Sequence, residues 1–121
     1  MADEITLSAI FKAANSSTSI LERVTDLSVD MTGTHIIHNR QEIGTVEEVL
    51  LLGDVGVGGW FFGINRDATS TISIRPATGE TDLVKMLAGE FALFRVHADA
   101  ATPYVIGGSA GVELEYWLLE L

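Results

Sequence analysis

Two histidines in the first half of the chain are the first candidates for chemistry. His35 and His38 form an H-x-x-H pair, and imidazole is a common metal ligand. On an extended strand, however, a spacing of three residues directs the two side chains to opposite faces, so they do not share a metal. The jelly-roll metal pattern, with two histidines one residue apart followed closely by glutamate, is absent. We therefore predict no metal site and no cofactor here.

A first set of alternating acidic residues could bind calcium. Asp26, Ser28 and Asp30 would share one face of a strand. An EF-hand loop that begins at Asp26 requires glycine at its sixth position and glutamate at its twelfth, where this chain has Met31 and Ile37. The pattern therefore favours a solvated strand face, and calcium stays open as an alternative.

A second pair of acidic residues, spaced two apart, lies close to the end of the sequence. Glu113 and Glu115 could act as a general acid and base if burial pushed their pKa values apart. Nothing in the sequence indicates such burial. We expect both carboxylates to keep an edge or terminal strand soluble and to discourage unwanted strand pairing.

The remaining catalytic motifs are also missing. The glycines between residues 53 and 59 have neither the dinucleotide-binding spacing nor the Gly-Lys-Ser/Thr ending of a phosphate loop. Serine, histidine and aspartate all occur, but no Gly-x-Ser-x-Gly elbow is present. The sequence therefore predicts a protein that is not an enzyme.

Charge and composition narrow the classes of partner. Seventeen acidic residues against seven basic ones give a formal charge of −10, which repels phosphate backbones and anionic lipid headgroups. We expect neither nucleic acid nor membrane as a partner. The chain has no cysteine, which excludes disulfides and thiolate chemistry, and its amino-terminal residues carry acidic charge where a secretory signal has positive charge. Synthesis in a cytoplasm is the expectation.

The elements that must position these residues are strands. Apolar and polar side chains alternate along most of the chain, whereas helical spacing is almost absent. The pattern predicts strands at about 5–13, 21–31, 35–43, 47–52, 60–64, 72–75, 83–87, 91–96, 104–106 and 112–119. For 83–87 a helical turn is the alternative to a strand. The stretch at 60–64 is apolar on both faces, which is typical of a central strand. About eight to ten short strands with little helix indicate an all-β fold, a β-sandwich or jelly-roll-like domain spanning 1–121, with a candidate extended arm at about 1–11.

The aromatic residues suggest a contact surface. Tryptophan and tyrosine stack on sugars in some sandwiches, but they more often pack in cores and interfaces. Trp117 shares its predicted strand face with Glu113 and Glu115, and an indole on a polar face often marks a contact surface. Apolar residues make up 47% of the chain, which is consistent with extra apolar area between subunits.

Several segments resemble small virion proteins of tailed bacteriophages that decorate or cement capsids. They are the stretch 41–45, LGDVGVGGWFFGINRDAT at 52–69, the turn at 87–90, and VELEYWLLEL at 112–121. The resemblance implies a β-sandwich, often trimeric, that sits on the capsid surface of the virion and binds the major capsid protein or other virion proteins without catalysis. The interface candidates are Ile5, Leu7, Phe11, Trp60, Phe62, Tyr104 and Trp117.

Three other functions stay open on the sequence. A tail or neck component of similar fold has the same sequence signature. A carbohydrate-binding module would use Trp117 and Tyr104, with calcium held through Asp26 and Asp30. A metal-dependent jelly-roll enzyme is the remaining alternative, and it would contain a bound metal.

Overall fold

The computed structural model describes residues 5–31, 33–53, 55–56, 58–97 and 100–120. Within them the chain forms ten strands and no helix, which confirms the all-β prediction. The strands are β1 Ile5–Ala14, β2 Ser19–Val29, β3 Ile36–Ile43, β4 Glu48–Val49, β5 Gly58–Asn65, β6 Ile72–Arg75, β7 Val84–Met86, β8 Phe91–Arg95, β9 Tyr104–Gly107 and β10 Val112–Glu120. The chain divides into two compact units between residues 32 and 33. We call the second unit the body.

The first unit is a β-hairpin. β1 and β2 pair antiparallel, from Ile5 opposite Val29 to Ala14 opposite Ser19. The turn forms where the sequence has its cluster of short polar residues, because the Asn15 side-chain oxygen accepts hydrogen bonds from the Ser17 and Thr18 backbone N–H groups at 2.9 and 2.8 Å. Residues 5–11, the described part of the arm expected from the sequence, form the first part of β1. Residues 1–4 lie outside the described residues.

The body contains two antiparallel sheets of four strands each. The first has the order β3-β10-β5-β8 and the second has the order β4-β9-β6-β7. Inward side chains of both sheets form one hydrophobic cluster, which includes Phe61 and Tyr116 from the first sheet and Ile72 and Val105 from the second. The Phe61 ring stacks on Phe94 and Tyr116 with centroid distances of 4.9 and 5.8 Å. Each sheet therefore covers the apolar face of the other, as in a β-sandwich.

One predicted strand is much shorter than expected. The stretch 47–52 pairs with β9 only at Glu48 and Val49. Beyond Val49, the Leu51 backbone N–H donates to the side-chain oxygen of Gln41 at 3.2 Å. A buried side chain thus replaces the strand ladder there, and alternation of side chains does not reveal such a replacement.

Candidate binding surfaces

One face of the hairpin is almost entirely apolar. The cross-strand pairs place nine apolar side chains and Glu22 on this side, which we call the hairpin apolar face. Its apolar members are Ile5, Leu7, Ala9, Phe11, Ala13, Ile20, Val24, Leu27 and Val29. The opposite side is mainly polar, with Ile10 and Leu21 as its large apolar members. The hairpin is therefore amphipathic along its whole length.

A β-bulge makes this face continuous. Leu7 lies opposite Leu27 and Ala9 lies opposite Val24, so β2 has one extra residue between these pairs. Asp26 lies there with a φ of 53°, and its backbone N–H donates to the Ser8 hydroxyl at 3.0 Å. In a regular strand, Val24 and Leu27 would point to opposite sides, because their spacing is odd. The extra residue turns both toward the same side.

The side chains of the hairpin apolar face are largely exposed. Phe11 is 64% exposed and Val24 is 53% exposed, and Ile20 and Leu27 are also exposed. Monomeric proteins rarely expose continuous apolar areas of this kind, and such areas commonly mark interaction sites. The Phe11 prediction as an interface candidate is consistent with this position, whereas Ile5 is buried and Leu7 is partly buried.

A second surface is the outer face of the sheet β3-β10-β5-β8. Residues directed away from the core form rows across the four strands, and we call this surface the outer face. The middle row runs from His38 through Trp117 and Phe62 to Leu93. The rows on either side contain Ile36, Leu119, Trp60 and Arg95, and Arg40, Glu115, Ile64 and Phe91. The outer face thus combines apolar side chains with a charged corner.

The aromatic rings on the outer face stand side by side. The Trp117 indole is parallel to the His38 ring, with a centroid distance of 4.4 Å and an interplanar angle of 1°. Phe62 stacks near the indole at 5.6 Å and meets Phe91 edge-on at 5.9 Å. Because Trp117 has a ring on each side, its faces are not free to stack on a pyranose ring. The indole N–H of Trp60 has no acceptor among the described residues.

The carbohydrate-binding alternative required Trp117 and Tyr104 to act together. Tyr104 is half-buried on β9 and points away from the core of the second sheet, since its neighbour Val105 is buried in that core. Trp117 points away from the core on the first sheet. The structure therefore does not place the two aromatic rings on one surface, and no observation favours this alternative.

Glu115 anchors the charged corner of the outer face. Glu115 is only 4% exposed. The His38 Nε2 lies 2.6 Å from one carboxylate oxygen, and the Arg66 guanidinium lies 2.7 Å from the other, while Arg40 contacts both Glu115 and Glu113. The hydrogen bond from His38, then that from Arg66, lowers the pKa of Glu115 to about 2. A carboxyl group held ionised in this way is not suited to act as a general acid.

The expectation that Glu113 and Glu115 protect a sheet edge is wrong, although β10 is the last strand along the chain. β10 lies inside its sheet, between β3 and β5, so these carboxylates do not protect a free edge. The sequence places β10 last in the chain, but a strand's position in the chain does not fix its position in the sheet. Glu115 instead contacts His38 and Arg40 of β3 and Arg66 of the loop after β5.

Glu120 forms a second anionic centre at the other end of β10. Its carboxylate accepts hydrogen bonds from the Gly56 and Thr34 backbone N–H groups at 2.9 and 3.1 Å and lies 3.1 Å from the His35 Nδ1. These bonds, with Gly56 contributing most, lower the pKa of Glu120 to about 2. A Cβ at Gly33 would lie only 2.4 Å from the Glu120 side chain, so this close approach requires glycine. His35 and His38 therefore contact different carboxylates.

The other predicted sites yield no cluster that could hold a metal. Among the described residues, no group of three or more histidine, cysteine, aspartate or glutamate side chains has such an arrangement. Asp26 lies in the β-bulge, where its carboxylate is 3.5 Å from the Ser8 hydroxyl. In the glycine-rich segment, Gly53 adopts a positive φ of 56° within a turn.

An apolar groove of about 360 Å³ lies beside the edge strands β7 and β8 of the two sheets. Its apolar lining includes Ile74, Leu83, Val84, Phe94 and Pro103. Three basic or titratable residues, Arg75, Arg95 and His97, also line it. The groove is open to solvent and has no carboxylate among its described lining residues.

Comparison with protein-family models, with curated proteins and with solved structures finds no match to this chain. In the part of the chain that the structure describes, no helix has the length and apolar character needed to span a bilayer. The function must therefore be argued from the two surfaces.

Proposed function

We propose that this chain is a structural virion protein of a tailed bacteriophage that binds and stabilises the capsid lattice and performs no catalysis. The observation that supports this most directly is the exposed hairpin apolar face. Its partner is the major capsid protein or another virion protein on the capsid surface. Self-association of copies is part of the proposal, and the trimer expected from the resemblance stays a prediction.

An isolated two-stranded hairpin is at best marginally stable in water. Here the four large exposed side chains on one side, Phe11, Ile20, Val24 and Leu27, lose contact with water only when another surface covers them. Covering each such side chain contributes about 1–2 kcal/mol, since roughly half of its area is still available. Contact with a partner surface therefore stabilises the hairpin and contributes binding free energy to the complex. An arm that binds in this way can hold neighbouring subunits of a lattice together.

The paired strands of the hairpin carry no net charge of their own. Residues 33–121 carry five basic and twelve acidic side chains, a formal charge of −7, and residues 1–32 carry two basic and five acidic side chains, a formal charge of −3. Within residues 1–32, the strands β1 and β2 carry Lys12 and Arg23 against Glu22 and Asp26, so the acidic excess lies outside them. Balanced charges on the strands do not oppose their contact with an acidic subunit surface.

The proposal is tested by adding the purified protein to phage heads that lack it and measuring co-sedimentation. Val24→Asp places a charge on the hairpin apolar face, and we expect binding to fall at least about tenfold because that charge must be desolvated. Ile10→Asp is the matched control, since Ile10 is an exposed apolar residue on the opposite side of the same hairpin. The control should bind like the unchanged protein.

Three results would contradict the proposal. The unchanged protein could fail to bind heads, or both variants could bind equally well, or gold-labelled antibodies could find the protein only on tails or necks. The last result would mean that this protein is a tail or neck component, the second placement left open by the sequence, and that its hairpin binds a partner there.

A further inference from the structure

The outer face of the sheet β3-β10-β5-β8 has a pattern that is complementary to itself. Its most exposed apolar residues lie at two opposite corners, with Ile36 60% exposed at the start of β3 and Phe91 66% exposed at the start of β8. Trp117 and Phe62 lie between them in the middle row. An apolar diagonal therefore crosses the outer face from one edge strand to the other.

The other two corners are charged. Arg95 lies at the end of β8, and at the end of β3 Arg40 lies in the row of Phe91 while Glu42 lies one row further. The antiparallel order of the four strands places these ends at opposite sides of the sheet. Arg40 already pairs with two carboxylates of β10. Arg95 and Glu42 are both exposed, and neither has an ion pair with another residue that the structure describes.

The charges of the outer face cancel, in contrast to the chain as a whole. Arg40, Arg66 and Arg95 balance Glu42, Glu113 and Glu115. Two copies with a formal charge of −10 each repel one another at long range. That repulsion is weakest where a balanced surface of one copy faces the same surface of the other.

We propose that the outer face binds a second copy of this chain through a twofold axis along the diagonal from Ile36 to Phe91. Rotation about this axis lays the apolar diagonals of the two copies against each other. The same rotation brings Arg95 of each copy over the charged corner of the other, where Glu42 is the carboxylate without an ion pair, so each dimer contains the contact twice. The strands of the two sheets then cross at close to a right angle, which is one of the two common ways in which sheets pack.

The size of the outer face is sufficient for a reversible dimer. The strands β3, β10, β5 and β8 contain 8, 9, 8 and 5 residues, and at about 3.3 Å per residue and about 4.8 Å between strands they cover about 480 Å² per copy. The total of about 1,000 Å² is close to the lower limit for a specific interface. We therefore expect a dimer that dissociates on dilution. This inference uses a surface other than the hairpin and concerns the self-association named in the proposed function, where the dimer takes the place of the trimer expected from the resemblance.

Sedimentation velocity of the full chain over a range of concentrations tests the inference. The unchanged protein should show a monomer–dimer equilibrium. Arg95→Glu and Glu42→Arg should each raise the dissociation constant at least about tenfold, because each replaces two attractions by two repulsions. The variant with both changes should regain the affinity of the unchanged protein, since the two charges have only exchanged places.

Matched controls separate this contact from net charge and from the hairpin. Lys85→Glu and Glu80→Arg make the same changes of charge at exposed residues outside the outer face and should leave the equilibrium unchanged. Val24→Asp should leave it unchanged as well. Circular dichroism confirms that each variant is folded.

Five results would overturn the inference, and the first four concern the dimer and the charge variants. They are a monomer at all concentrations, a trimer in place of a dimer, single variants that dimerise normally, and a double variant that does not recover. Loss of the dimer in Val24→Asp would overturn it in favour of contact through the hairpin. None of these measurements uses phage particles, so they test self-association alone, and co-sedimentation with heads tests binding to the capsid lattice separately.

Discussion

The hairpin and the body are built from the same alternating pattern but differ in what covers their apolar faces. In the body, Phe61, Ile72 and Tyr116 are fully buried because the two sheets face each other. In the hairpin, Phe11 and Val24 lie on an equally apolar face and are mostly exposed. The body is thus stabilised by its own packing, whereas the hairpin apolar face is available to another molecule.

The two units also differ in how their backbones are fixed. In the body, the buried Asn65 side chain donates to the carbonyl oxygens of Ser70 and Met86 at 2.8 and 3.1 Å and accepts from the Asp67 backbone N–H. In the hairpin, Asn15 fixes a turn that is exposed to solvent. We therefore expect an asparagine to contribute strongly to the free energy of unfolding in the body and very little in the hairpin.

The largest expected effect is at the centre of the body core. Phe61→Ala removes a fully buried ring that stacks on Phe94 and Tyr116, and it should lower the free energy of unfolding by about 3–5 kcal/mol. Phe62→Ala, the adjacent ring on the outer face, should lower it by only about 1–2 kcal/mol. Urea denaturation measures both values, and equal losses would mean that the assignment of inner and outer faces is wrong.

A smaller loss is expected when the buried amide is removed. Asn65→Ala leaves two carbonyl oxygens of the body without their donor, so the free energy of unfolding should fall by about 2–3 kcal/mol. The control is Asn15→Ala, which removes the turn bonds of the hairpin. If the body unfolds at the same denaturant concentration in both variants, the contrast between the two units is not supported.

Lowering the pH is expected to reduce the stability of the body by a moderate amount. Glu115 has a pKa of about 2 in the folded chain against an ordinary value of 4.5, with His38 and then Arg66 as the main causes. Its contribution to stability is therefore fully present above about pH 4.5 and is lost as the pH falls toward about 2, because the unfolded chain binds the proton first. The melting temperature of Glu115→Gln should change less over this range than that of the unchanged protein.

The control for the acid prediction is Glu80→Gln, which removes an exposed carboxylate from a loop of the body. Its melting temperature should follow that of the unchanged protein as the pH falls. If Glu115→Gln also follows it, the cationic contacts of Glu115 do not contribute to stability.

The smallest effect on stability should come from the hairpin bulge. Deleting Asp26 removes the extra residue and shortens the spacing of Val24 and Leu27 from three residues to two, so a regular strand then keeps both on the same side of β2. The body should unfold as before, within about 0.5 kcal/mol, and co-sedimentation with phage heads should be kept. Asp26→Gly keeps the extra residue and suits a positive φ, so it should bind normally as well. Loss of binding in the deletion variant alone would mean that the bulge itself, and not the continuous apolar face, makes the contact.

The sequence predicts the strands well and the surfaces only in part. Alternation identifies β1, β3, β5, β6, β8 and β10 within a few residues, because each has one side toward a core or an equally apolar face. It also places Trp117 on the side of Glu113 and Glu115, as found. In the apolar stretch 60–64, Phe61 points into the core, whereas Trp60 and Phe62 lie on the outer face.

Two features of the surfaces escaped the sequence analysis for physical reasons. The burial of Glu115 depends on which strands flank β10, and strand order arises from contacts between residues far apart in the chain. The bulge had a visible signal, since Ile20, Glu22 and Val24 alternate in one phase while Leu27 and Val29 alternate in the other. A change of phase within one strand indicates an inserted residue, and the bulge at Asp26 supplies it.

Amide hydrogen exchange, followed in the free chain and on phage heads, tests the central claim most directly. We expect the amides of β1 and β2 to exchange rapidly in the free chain and to become strongly protected on heads, while the strands of the body are protected in both states. Hairpin amides as protected as the body core in the free chain would contradict the claim that this face is completed by another molecule. Unchanged exchange of the hairpin on heads would contradict it as well.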